Sequence, residues 1–162
     1  METADLVRRV AESLLVRHWM LVTAESCTGG AIAASLTDLA GSSQWFERGF
    51  VTYSNQSKQD LLGVRATTLE THGAVSAETV AEMVSGALQH SQAQVAVAVS
   101  GIAGPSGGTP DKPVGMVCLG WGIKDEAPVV QTHFFAGDRA AVRSQSVRCV
   151  LQGILDVLDK HP

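Results

Sequence analysis

Ser26, Cys27 and Thr28 stand side by side in the stretch "AESCTGG" (24–30), directly after the apolar run "WMLVT". Each carries an OH or SH able to attack a carbonyl, but a hydroxyl attacks only when a base takes its proton, and a thiol only as thiolate. The candidate base is Lys58 in "YSNQSK", read as lying in the first turn of a short helix capped by Ser54 or Asn55. A cation there opposes the positive end of the helix dipole, and partial burial acts in the same direction, so the amine is pushed toward its neutral, basic form. A neutral lysine can take a proton from a serine, as in Ser-Lys hydrolases. The alternative is a solvated surface lysine with no part in chemistry. Cys27 has no evident histidine partner, and small cysteines are mostly buried packing residues. Thr28 is read as a helix cap. Gly29 and Gly30 either let backbone N–H groups approach a ligand or a developing oxyanion, or serve only a tight turn.

These side chains can meet only if separate segments converge. Val7, Val10, Ala11, Leu14 and Leu15 recur at helical spacing and predict a helix over 4–17. "WMLVTA" reads as a strand, "AIAASLTDLA" as a helix ending near Gly41, "GFVTY" as a second strand, and "NQSKQDLLG" as a short helix closed by Gly63. "SAETVAEMVSGALQH" follows as a helix with Ser76 at its N-cap, and "QVAVAVS" as a third, buried strand. Residues 101–113 hold seven Gly or Pro among thirteen and form a loop. "VGMVCLGWGI" and "VVQTHFFA" read as a strand pair, and a last helix starts near Asp138 and turns Val147, Val150, Leu151, Ile154 and Leu158 inward. Helices alternate with strands early and two adjacent strands come late. That order predicts an α/β fold, a three-layer α/β/α sandwich with a mostly parallel mixed sheet and one antiparallel strand.

In open α/β sheets ligands sit beyond the carboxyl ends of parallel strands. Ser26 follows the first strand, Tyr53-Ser54-Asn55 the second, and Ser100-Gly101 the third. Parallel strands would therefore bring all three segments to one edge.

Composition narrows the class. A chain of 162 residues with 45% hydrophobic and 17% charged residues is expected to form one domain over 1–162 with a sizeable core. A net charge of −4 and scattered basic residues argue against a nucleic-acid partner. Arg139, Arg143 and Arg148 form the densest basic group. The first two sit one turn apart at the start of the last helix, where they would bind an anion such as a phosphate or pair with Asp138 and neighbouring carboxylates. Three distant cysteines without a CxxC pair fit a reducing cytoplasm, and the five histidines lack metal-ligand spacing. The N-terminus has no apolar leader and no stretch is long enough to span a membrane. The expectations are a cytoplasmic protein with no metal, no cofactor, and neither membrane nor nucleic acid as partner.

The segments "TAESCTGG", "GSSQWFERGFVTYSN" followed by Lys58, "HGAVS", "SGIAGPSGG", "KPVGMV" and "FAGDRAAVR" resemble, in order and from about residue 5 to residue 155, the stand-alone CinA C-terminal domain family, the nicotinamide-nucleotide amidases. The resemblance implies hydrolysis of the carboxamide of nicotinamide mononucleotide to nicotinic acid mononucleotide and ammonia, in pyridine nucleotide salvage. It also implies four catalytic side chains: Ser26 as nucleophile, Lys58 as base, and Tyr53 and Ser100 positioning groups or relaying the proton. The Ser100 position can be threonine in relatives, so serine is a departure that keeps the hydroxyl. Substrate contacts are expected from Cys27, Thr28, Gly29, Gly30, Asn55, Gly101, Arg139 and Arg143, with a small-molecule nucleotide as substrate and a homodimer or other homo-oligomer as the assembly. A binding module without turnover, or a regulatory protein, has no chemical need for Ser26 and Lys58 together.

Overall fold

Five apolar segments pair into one sheet in the spatial order β2-β1-β3-β4-β5, in a computed structural model that describes residues 1–162. The strands are β1 (Leu21–Glu25), β2 (Phe46–Val51), β3 (Val95–Gly101), β4 (Met116–Ile123) and β5 (Val129–Phe134). β1 is parallel to β2 and β3, while β4 is antiparallel to both of its neighbours. β4 alone therefore runs against the other four, as the sequence pattern predicts.

Side chains alternate across the sheet and fill two layers. Leu21, Val97 and Leu119 face α1 (Thr3–Arg17), α2 (Ala31–Thr37) and α6 (Arg139–Asp159), which supply Leu14, Ile32 and Leu151. Val22, Ala24, Ala96 and Ala98 face α3 (Asn55–Leu62), α4 (Ala66–His72) and α5 (Ala77–Gln89), with Leu62, Leu69 and Met83 against them. The result is a three-layer α/β/α sandwich. Ser76 accepts a hydrogen bond from the Thr79 N–H at the start of α5, and Gly63 ends α3 at φ 68°.

β1, β4 and β5 are trimmed by one or two residues at an end, and three larger differences from the sequence reading stand out. α2 stops at Thr37, short of Gly41. β2 begins three residues before Gly49 and releases the chain before Thr52, because "FER" lies on an edge strand where charged side chains stay in solvent. α4, which the pattern does not announce, is held by the buried Leu69 and by Thr68, whose hydroxyl donates to Glu82 Oε2 at 2.5 Å.

Register sets the functional edge. Glu25 is level with both Val51 and Val99. The Ser26 N–H donates to the Val99 carbonyl at 3.0 Å, and the Thr52 N–H to the Glu25 carbonyl at 2.8 Å. Ser26, Thr52 and Ser100 thus emerge at the same height at the carboxyl ends of adjacent parallel strands.

α3 reaches its place by close approach to α5. A Cβ on Gly86 would overlap the Leu62 carbonyl oxygen at the end of α3. Gly86→Ala would add about 1 kcal/mol of helix propensity, but overpacking against fixed backbone costs about 1–3 kcal/mol. We expect the substitution to lower the melting temperature. Activity should fall with it, because the displaced helix carries Lys58; unchanged values of both would contradict this packing argument.

Candidate active site

Lys58 is 1% exposed and Ser26 7% exposed. The Lys58 side chain runs under the end of β2, where its Nζ donates to Ser26 Oγ at 2.9 Å and to the Thr52 carbonyl at 2.9 Å. The Tyr53 carbonyl lies 3.4 Å from both Lys58 Nζ and Ser26 Oγ. Local sequence explains the approach. Ser54 caps α3 by accepting from the Ser57 N–H at 3.1 Å, and the Lys58 N–H closes the first turn onto the Ser54 carbonyl.

Burial pushes the Lys58 amine below the ordinary lysine range. A Cys27 thiolate would act in the opposite sense. Burial, however, pushes the Cys27 thiol up to about 11, so it stays protonated at neutral pH. A hydroxyl hydrogen-bonded to an amine driven toward neutrality is the arrangement of Ser-Lys acyl transfer.

The pair opens into a cleft of about 250 Å³. Of the twelve residues singled out in the sequence, this cleft is lined by Ser26, Cys27, Tyr53, Asn55, Lys58, Ser100, Gly101 and Arg139. Ser100 is buried on the β3 side, and Asn55 lies exposed at the start of α3. Ala74 and Val75, Ile102 to Gly104, and Ser106 and Gly107 complete the walls, which hold no carboxylate. Tyr53 departs from its expected place: the side chain is 59% exposed, and its phenol accepts from Arg139 Nη2 at 3.0 Å rather than touching Ser26 or Lys58.

The remaining four residues stand behind the cleft. Thr28 does not cap α2. The helix begins at Ala31 with Gly30 at its N-cap, and the Thr28 hydroxyl donates to Glu25 Oε1 at 2.6 Å. Gly29 (φ 59°) and Gly30 (φ 104°) take left-handed conformations that bend the chain into α2. The Gly29 N–H is consumed by the Ser26 carbonyl at 3.0 Å, whereas the N–H groups of Cys27, Thr28 and Gly30 donate to no protein acceptor.

Neither Arg139 nor Arg143 pairs with a carboxylate, and Asp138 instead caps the helix by accepting from the Ala141 N–H at 2.9 Å. Arg143 grips the reactive turn from behind, donating to the Cys27 carbonyl at 3.2 Å and the Thr28 carbonyl at 3.0 Å. Arg139 donates to the Gly104 carbonyl at 2.9 Å and to Tyr53, and borders the cleft mouth. The motif reading passes over Glu25, a buried carboxylate at the root of the turn. A helix that starts on glycine has no side chain of its own to satisfy its first amides, and that was the available signal.

The CinA C-terminal domain profile matches residues 3–158. This chain belongs to the CinA C-terminal domain family. It is 51% identical over 151 residues to the nicotinamide-nucleotide amidohydrolase PncC of Enterobacter agglomerans, covering 93% of this chain and 92% of that one. The corresponding protein of Escherichia coli K12 is 49% identical with the same coverage. A CinA superfamily crystal structure from Klebsiella pneumoniae 700603 superposes with a TM-score of 0.95 at 41% identity, covering 99% of both chains. No helix of this CinA domain is long and apolar enough to cross a membrane.

Burial of the Lys58 amine also has a consequence for stability. Its pKa is lower folded than unfolded, so between those two values the unfolded chain holds a proton that the folded chain lacks, and folding stability rises with pH. Lys58→Met removes that dependence. The melting temperature of the parent minus that of Lys58→Met should therefore increase from pH 7 toward pH 10. The thiols are common to both proteins, so a flat difference would mean that Lys58 is not buried in its neutral form.

Proposed function

We propose that this chain hydrolyses the carboxamide of nicotinamide mononucleotide to nicotinic acid mononucleotide and ammonia, with Ser26 as nucleophile and Lys58 as general base, in pyridine nucleotide salvage. The observation that carries the reading is the 2.9 Å contact between a buried lysine and the serine of the β1 turn. The relatives named nicotinamide-nucleotide amidohydrolase point to the substrate class.

A neutral amine has two N–H groups and one lone pair. The Thr52 and Tyr53 carbonyls accept the two N–H groups, and the lone pair is left for the Ser26 hydroxyl, which then donates to Lys58. Ser26 Oγ attacks the amide carbon as its proton passes to Lys58 Nζ. The oxyanion is taken by the Cys27 N–H, which has no protein acceptor and belongs to a residue that lines the cleft. Lys58 returns the proton to the leaving nitrogen, which departs as ammonia, and a water deprotonated by Lys58 resolves the acyl-enzyme. Ser100, buried on the opposite wall, positions the carboxamide or the water through its hydroxyl. Tyr53 contributes its carbonyl to the base and its phenol to the cleft mouth. The kcat should rise with pH along one limb as Lys58 loses its proton, at a pH below that of a free lysine.

The decisive assay incubates purified protein with nicotinamide mononucleotide, without added metal, and follows ammonia and nicotinic acid mononucleotide. The parent should produce both in equal amounts. Ser26→Ala should lose about 10⁴-fold or more in kcat, while Cys27→Ala keeps substantial activity because burial pushes its thiol up to about 11 and keeps it protonated at neutral pH. Full turnover by Ser26→Ala would sink the serine mechanism.

The two arginines separate under a second test. Arg139 faces the cleft with donors to spare, so it is the residue we assign to the 5′-phosphate. Arg143 makes as many bonds, to the turn carbonyls, but does not line this cleft. Arg139→Ala should raise KM for the mononucleotide while leaving the turnover of the phosphate-free riboside nearly unchanged. Equal losses on both substrates would instead make Arg139 a structural strap for Tyr53 and Gly104.

A further inference from the structure

Glu25 is 1% exposed and forms no salt bridge, yet both of its oxygens are occupied. Oε1 accepts from the Thr28 hydroxyl at 2.6 Å and from the Ile32 N–H at 2.9 Å, and Oε2 accepts from the Ala33 N–H at 3.0 Å. The carboxylate therefore ties the residue that starts the reactive turn to its middle and to the first turn of α2. Gly30, the N-cap, brings no side chain to those amides, so Glu25 reaches across the turn to supply the missing acceptor.

Arg143 works on the opposite face of the same loop. It holds the Cys27 carbonyl, and a trans peptide points its N–H opposite to its C=O, so the Thr28 N–H is directed away from α6. The Ser26 carbonyl is fixed in the same way by the Gly29 N–H, which turns the Cys27 N–H to the other side. These are amides without a protein acceptor.

We propose that Glu25 is a positioning residue for the reaction. Its carboxylate clamps the 26–30 turn to α2, so that the unpaired Cys27 N–H at the cleft stays aimed at the point where negative charge develops. The inference rests on the reading of Ser26 as nucleophile. Neither Glu25 oxygen contacts Ser26 or Lys58, so it acts through the turn that it holds. Glutamine at this position keeps the shape but offers an NH₂ where an N–H or hydroxyl now donates, so one arm of the clamp fails.

The test compares the parent with Glu25→Gln, Thr28→Val and Thr28→Ser. It measures kcat, KM and the pH limb on nicotinamide mononucleotide, and separately the rate at which a fluorophosphonate labels Ser26. Glu25→Gln should lower kcat by about 10²-fold, the loss typical of small misplacement of catalytic groups. Labelling should slow in parallel, with KM changed by less than about threefold and the limb unmoved, because Lys58 is untouched. Thr28→Val should show a smaller loss of the same kind, which Thr28→Ser restores. A folded Glu25→Gln protein that labels and turns over at the parent rate overturns the proposal, and so does a displaced pH limb, which would make Glu25 an electrostatic partner of Lys58. If Glu25→Gln does not fold, parent rates in Thr28→Val overturn it equally. A parent that is labelled but does not hydrolyse the mononucleotide would refute the substrate, and the labelling rates would still decide the role of Glu25. A parent that is neither labelled nor active would overturn the nucleophile and this inference together.

Discussion

The rest of the site depends on one buried amine that has no counter-ion. Lys58 Nζ is surrounded by a hydroxyl and two main-chain carbonyls, and the cleft above it holds no carboxylate. The choice of neutral partners matters in magnitude. A carboxylate 4 Å away would favour the ammonium by about 4 kcal/mol at an effective dielectric of 20. That is about three pKa units, in the sense opposite to burial. Carbonyls satisfy the N–H groups without that bias, and they come from the end of β2, where the strand releases Thr52 and Tyr53 from the sheet. The ladder of β1 is what puts Ser26 within reach of the same point.

Desolvation acts on the two neighbouring reactive groups with opposite consequences. It disfavours the charged form of each, and for an amine the neutral form is the reactive one, whereas for a thiol it is the inert one. On the mechanism we propose, Ser26 gains its base from the same burial that silences Cys27, the side chain next to it, whose thiol is pushed up to about 11. Selection among three adjacent nucleophile-capable residues needs no further device. Thr28 is removed from contention by its hydrogen bond to Glu25.

Much of this was legible in the residues. The helical spacing of α1, α5 and α6, the Val/Ala run of β3 and the late strand pair predict the layers and the single reversed strand. Strand ends then bring Ser26, Lys58 and Ser100 to one edge before any resemblance is considered. What was not legible belongs to the main chain or to distant partners. The acceptors of Lys58 are carbonyls, which have no signature in residue type. α4 rests on tertiary burial of Leu69 rather than on periodicity. Tyr53 follows a strand end like Ser26, but its chain has already turned outward, and a side chain leaving an edge strand takes the direction that exposure allows. The role of Glu25 is set by α2, whose glycine cap makes the carboxylate necessary only once the turn is seen closed.

Arg139 and Arg143, at the start of α6, show how magnitudes separate roles that spacing cannot. Cations at a helix start are disfavoured by about 0.3–1 kcal/mol, and the sequence alone leaves an anion or a carboxylate as the explanation. Hydrogen bonds to charged groups contribute about 1.5–3 kcal/mol each, and each arginine makes two, none of them to a carboxylate. Those bonds outweigh the dipole, so the position of either guanidinium is accounted for without a bound phosphate. The difference between the two lies in where the unused donors stand. Arg143 spends its reach behind the turn, holding carbonyls so that the amides face the other way. Arg139 stands at the cleft mouth beside the phenol of Tyr53, with three of the five guanidinium N–H groups uncommitted. One helix start thus holds two separate places, with Arg143 gripping the turn that follows β1 and Arg139 bordering the opening of the cleft.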